Sequence, residues 1–177
     1  MVRSGVVGAV LGLVLGWLAI PAGASADTNS LARAGSWEAF GGTTNNGRRV
    51  CGISAEQAGR YFGMKLFAGG TTFTIQMGTK EWTFESGRRI PLTMRFDANT
   101  TWKAAGTVFR FEDGDADVQF LQFDISRKEI ELFASEFRNS STLRVVFQEN
   151  VMPPWLLGLD GTQAVDTAFR NCLKSLR

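Results

Sequence analysis

The chain has no histidine. That absence excludes a Ser-His-Asp triad, a Cys-His pair and every histidine-ligated zinc site. Cysteine is scarce too. Cys51 and Cys172 are the only two, too few for a four-cysteine metal cluster. The G-x-S-x-G, G-x-G-x-x-G and P-loop patterns are missing. Paired carboxylates can carry acid–base chemistry, but Asp and Glu are scattered and nothing in the sequence gathers two of them across a cleft. No motif supports a Ser-Lys dyad. The expectation is therefore a protein that is not an enzyme and holds no cofactor and no metal.

Charge of one sign is also lacking. The whole chain carries a formal net charge of +2. Such a balance makes no case for nucleic acid or for an anionic membrane. Arg48-Arg49 and Arg88-Arg89 are isolated pairs and read as solvated turns.

Long apolar runs are absent with one exception. Gly5 to Ile20 is free of charge, follows Arg3 and ends at Pro21, and Ala24-Ser25-Ala26 then offers an A-x-A cleavage site. The run is somewhat short of the roughly 20 residues a membrane span needs. It has the form of a secretory signal peptide over residues 1–26, with Asp27 expected as the first mature residue. No cysteine stands at the cut to take a lipid anchor, so no stable membrane insertion is expected once the signal is removed. Residues 27–177 show no internal repeat, linker or composition shift, and are expected to form one domain, periplasmic or secreted.

In an oxidising compartment an even cysteine count reads as a disulfide. A Cys51–Cys172 bridge would close nearly the whole domain and contribute about 4–5 kcal/mol in the chain-entropy model. A reactive thiol would need a neighbouring base, and the chain has no histidine to supply one.

What is present is mostly strand pattern. Residues 27–35 look like a frayed start. Trp37 to Phe40 is a short strand, Asn45-Asn46-Gly47 a turn, and Val50 to Ser54 a strand carrying Cys51. Glu56 to Phe62 reads as a single helical turn. Phe73, Ile75 and Met77 alternate with polar residues, as do Trp82 and Phe84, then Ile90, Leu92, Met94 and Phe96. Phe109 and Phe111 form another strand. Val118 to Ile125 is apolar on both faces and reads as a central strand. Ser126 and Glu129 have capping-box spacing, and Ile130, Phe133 and Phe137 follow at helical spacing, which predicts a helix over about 127–138. Leu143, Val145 and Phe147 return to strand, and Trp155 to Leu159 follows Pro153-Pro154. A last helix, capped by Asp160 or Thr162, would place Ala164, Val165, Ala168, Phe169, Cys172 and Leu173 on one face. The fold class predicted is mainly β: an antiparallel β-sandwich with a mid-chain helix and a disulfide-tethered C-terminal helix.

The order of motifs is familiar. Trp37 to Phe40 precedes a Cys. Ile90-Pro91-Leu92-Thr93-Met94-Arg95-Phe96-Asp97 and an amphipathic helix follow. Leu143-Arg144-Val145-Val146-Phe147 then leads to Leu156-Leu157-Gly158-Leu159-Asp160-Gly161-Thr162-Gln163-Ala164. This resembles the invasion-associated locus B family of bacterial secreted or periplasmic proteins, over most of the chain after residue 26. The resemblance implies a non-enzymatic extracytoplasmic protein, in some cases linked to host interaction, and it brings no catalytic residues.

Three further features are candidate sites. Trp82, Trp102 and Trp155 can form a binding platform or pack in the core, with Trp155 expected as the most exposed of them. Asp113, Asp115 and Asp117, with Asp124 further on, have the spacing of a calcium loop. Val118 stands where an EF-hand needs glycine, so the segment reads as an acidic hairpin turn. Asn99-Thr100-Thr101 and Asn139-Ser140-Ser141 are glycosylation sequons, relevant only in a eukaryotic secretory pathway. The function expected is a non-enzymatic secreted or periplasmic binding protein, its partner another protein. The alternative is a periplasmic inhibitor or immunity-type protein that blocks an enzyme with an exposed loop.

Overall fold

A computed structural model of the chain describes residues 27–113, 116–126, 128–148 and 151–176, with the backbone alone at 111–113 and 116–117. The expected signal segment, Gly114 and Asp115 of the acidic loop, and the side chains of Asp113 and Asp117 lie outside the described residues. The elements are β1 (Asp27–Ala34), β2 (Trp37–Thr43), β3 (Arg49–Gln57), β4 (Arg60–Phe67), β5 (Thr72–Thr79), β6 (Arg89–Phe96), β7 (Thr101–Asp113), β8 (Ala116–Ser126), α1 (Ile130–Asn139), β9 (Thr142–Phe147), β10 (Trp155–Gly158) and α2 (Thr162–Ser175). Every strand pairing is antiparallel, in the order β1-β2-β3-β4-β5-β8-β7-β6-β9-β10.

The sheet is continuous but folds over on itself, so that both of its halves pack against the buried face of α1. Phe137 of α1 shows this directly. Its ring lies 4.9 Å from Trp37 on β2, 6.3 Å from Phe62 on β4 and 6.2 Å from Phe96 on β6. One helical residue thus touches strands from both halves. The inward alternation in β5, Phe73, Ile75 and Met77, supplies the same core. β8, expected as central, lies between β5 and β7.

Several local expectations are corrected. Residues 27–34 are not frayed: they form an edge strand laid along β2, with a bulge between Ser30 and Ala32. Glu56 to Phe62 is not helical. Ala58 and Gly59 both take positive φ, 50° and 71°, as a two-residue hairpin turn of the primed type requires, with Gln57 opposite Arg60. Trp82 and Phe84 lie in an irregular connection rather than a strand. The Gln119 amide holds it, accepting from the Phe84 N–H and donating to the Phe84 carbonyl, both at 2.7 Å.

The helix ends also differ from the pattern. Ser126 still belongs to β8. Its carbonyl accepts the Glu129 N–H at 2.9 Å and its hydroxyl meets the Glu129 carboxylate at 2.5 Å, so α1 begins only at Ile130 and no capping box forms. Neither Asp160 nor Thr162 caps α2. Gly161 precedes it at φ 104°, where a side chain would strike the Ala34 carbonyl. Val165 and Phe169 are buried and Ala168, Cys172 and Leu173 pack half-buried beside them, whereas Ala164 faces out. The disulfide joins Cys51 on β3 to Cys172 on α2 across a Cα separation of 5.8 Å.

Candidate binding cleft

The three tryptophans go inward. Trp155, expected to be exposed, is only 3% accessible, because Phe147 and Trp82 cover it. Trp82 stacks on it at 5.1 Å. Trp102 packs edge-on against Phe133 at 5.2 Å and donates its indole N–H to the buried Glu136 carboxylate at 2.7 Å. The rings therefore pack in the core. Trp102 also lines a cleft that sequence reasoning missed.

That cleft arises where the sheet splits. The β7–β8 ladder runs from Asp113↔Ala116 to Thr107↔Gln122 and stops. β7 continues to Thr101 along β6, and β8 continues to Ser126 along β5. Among the described residues nothing pairs 101–106 with 123–126. The two strands diverge because each follows its own half of the sheet, while Phe133 of α1 packs under Trp102. The opening is a cleft of about 650 Å³. Trp102, Ala104, Phe123 and Ile125 reach it from the inner side, and Ala105, Thr107 and Gln122 from the outer side. Arg89 and Lys103 stand on the β6–β7 wall, and Asp124 and Glu129 on the wall formed by β8 and the approach to α1. The cleft is thus polarised across its width.

Hydrogen bonding fixes the polar wall. Asp124 accepts from the Thr74 hydroxyl at 2.9 Å. Beside it Lys65 donates to Gln76 at 2.7 Å, and Gln76 donates to Gln122 at 3.0 Å. Burial pushes the Lys65 ammonium below the ordinary lysine pKa. Along the same outer face, Tyr61, Phe120 and Phe109 form a row of rings 5.7 Å apart, with Phe120 lying over Gly78. Burial raises the Tyr61 pKa, opposed by a hydrogen bond with Ser54.

Of the residues singled out from sequence, Arg89, Trp102, Phe109, Asp124, Ile125 and Glu129 meet at this cleft, although they were noted for different reasons. Lys103 and Ala105 carried no signal of their own. The one trace in the sequence is the small-residue run Ala104-Ala105-Gly106 inside a strand, a stretch with little side chain to pack. No protein-family model, no curated protein and no solved structure matches the chain.

Proposed function

We propose that the chain is exported and acts outside the cytoplasm as a non-enzymatic binding protein whose partner is another protein. The β7–β8 cleft carries this reading. It is open, polarised and lined by both apolar and charged groups, as recognition surfaces are. The apolar run before Ala24-Ser25-Ala26 and the Cys51–Cys172 disulfide, a bond that persists in oxidising compartments, support export. No helix among the described residues is long and apolar enough to cross a membrane. The likeness in motif order to the invasion-associated locus B family points to the same class.

Two measurements test it. The intact mass of the exported protein should correspond to a chain starting at Asp27; a retained N-terminus would defeat the export half. A photo-crosslinking amino acid placed at position 105 in the cleft should yield a discrete protein adduct in the native extract, and the same group at exposed position 174 on α2 should not. No adduct from 105, or equal adducts from both positions, would remove the cleft as the binding site.

A further inference from the structure

We propose that the cleft takes an extended peptide segment of its partner, which adds as a strand to the free edge of β7. The proposal rests on the binding reading above and names the form of the partner. The argument begins with Val108. Its N–H donates to the Arg88 carbonyl at 2.8 Å, and its carbonyl accepts from the Gly87 N–H at 2.7 Å. The backbone of Val108 therefore points toward β6. Along an antiparallel strand the direction alternates residue by residue. The β6–β7 register is unbroken from Arg89↔Thr107 to Arg95↔Thr101. Thr107, Ala105, Lys103 and Thr101 accordingly turn their N–H and C=O groups away from β6, toward β8.

Pro91 corroborates this phase. It has no N–H and lies opposite Ala105, as a proline can where the pair makes no ladder bonds. At Thr107 the outward groups meet Gln122 in the β7–β8 ladder. The next hydrogen-bonded pair of that ladder would be Ala105 with Asp124, and it is not made. Ala105, Lys103 and Thr101 thus offer a backbone edge to the cleft, across from the stretch 123–126 of β8 that no β7 residue pairs. An unpaired edge of this kind is a template for an incoming strand, whose backbone supplies the affinity and whose alternate side chains supply the selectivity. Here the inward side chains of the incoming strand would meet Trp102 and Ile125. The outward ones would run between Lys103 and Asp124, which favours a segment carrying charges of both signs.

The test uses a display library of random heptapeptides selected on the purified exported protein, followed by synthetic copies of the recovered peptides. Methylating every second backbone nitrogen should weaken binding at least tenfold in one phase and less than twofold in the other. Equal effects in both phases, or no peptide recovered, would overturn the proposal. On the protein side, Ala105→Pro deletes an N–H that the β6–β7 ladder does not use. It should weaken binding at least tenfold, while Ala105→Ser stays within twofold; equal affinities for the two would also overturn it. Should Ala105→Pro fail to fold, the nitrogen-methylation comparison decides alone. A partner adduct from position 105 together with phase-indifferent peptides would leave the binding reading standing and remove the strand mode. The absence of that adduct would remove the cleft as the binding site, and the strand mode with it.

Discussion

Gln57 ties the two halves of the folded sheet together by treating its side-chain amide as a piece of strand. Its Oε1 accepts the Gly158 N–H at 3.0 Å and its Nε2 donates to the Gly158 carbonyl at 2.8 Å. The Trp37 indole donates to the same carbonyl at 2.9 Å. Gly158 ends β10, the last strand of the sheet, and Gln57 ends β3. One amide thus replaces a ladder pair between strands that do not otherwise pair. Gln57→Ala leaves the Gly158 N–H without that acceptor in a half-buried site, and an unsatisfied donor costs about 1–3 kcal/mol. Urea unfolding should show this loss. An unchanged midpoint would mean that water substitutes for the amide.

The disulfide should be the larger single contribution. Cys51 is fully buried and Cys172 is on α2, 121 positions further along. Replacing both by Ser should lower stability by about 2–5 kcal/mol, mainly by freeing the unfolded chain. Gly41 leaves the bridge its room: a methyl group there would sit 2.7 Å from the Cys172 sulfur. Gly41→Ala should therefore destabilise the oxidised protein more than the double-Ser protein. Equal losses, measured by denaturant titration, would show that the bridge is not what needs the space.

These two ties differ in how visible they are in the sequence. The disulfide was legible because the chain has only two cysteines, which leave one pairing, and the periodicity put Cys172 on the inner face of its helix. The alternation in β6 was legible because a half-buried strand writes its burial into every second residue, whereas β5 alternates in residue type yet buries Thr74 and Gln76 along with Phe73, Ile75 and Met77. The Gln57–Gly158 tie was not, because a glutamine that bonds backbone 101 positions away looks like any surface glutamine. The Ala58-Gly59 hairpin was missed because only Gly59 has the expected residue type for positive φ. The β7–β8 split depends on where two ladders part, which is a property of the whole sheet. Trp155 was misplaced because its loop-like neighbours, Pro153 and Pro154, say nothing about Trp82, which stacks on it from another connection.

Glycines beneath outer-face rings give a third prediction. A methyl group at Gly78 would lie 2.7 Å from Phe120 Cδ1 and 3.0 Å from the Gln119 carbonyl oxygen. Overpacking of this kind costs about 1–3 kcal/mol. Gly78→Ala should be destabilising by that amount in thermal unfolding. In a Phe120→Ala background the same change should cost clearly less, because the ring that it strikes is gone. Strict additivity in the double-mutant cycle would place the strain at the Gln119 carbonyl instead.

Asp97 gives the pH dependence. It follows β6 at φ 46° and is solvent-exposed, yet its carboxylate accepts three hydrogen bonds at 2.8 Å, from the Ser141 N–H, the Thr142 N–H and the Thr142 hydroxyl. These bonds, that of the Ser141 amide foremost, hold its pKa below the ordinary 3.8. The folded state therefore binds the proton more weakly than the unfolded chain does. The stabilisation is complete well above 3.8 and is lost as the pH falls through that value toward the lower folded pKa. Asp97→Asn keeps one acceptor oxygen but does not titrate. The Asp97→Asn protein should be less stable than the native protein near neutral pH, and the gap should narrow steadily below about pH 4 as the native carboxylate takes up its proton. Other acidic groups titrate in both proteins and cancel in the difference. Urea midpoints for the pair across this range check the claim, and a gap that stayed constant into acid would show that the Ser141 and Thr142 bonds do not favour the charged form.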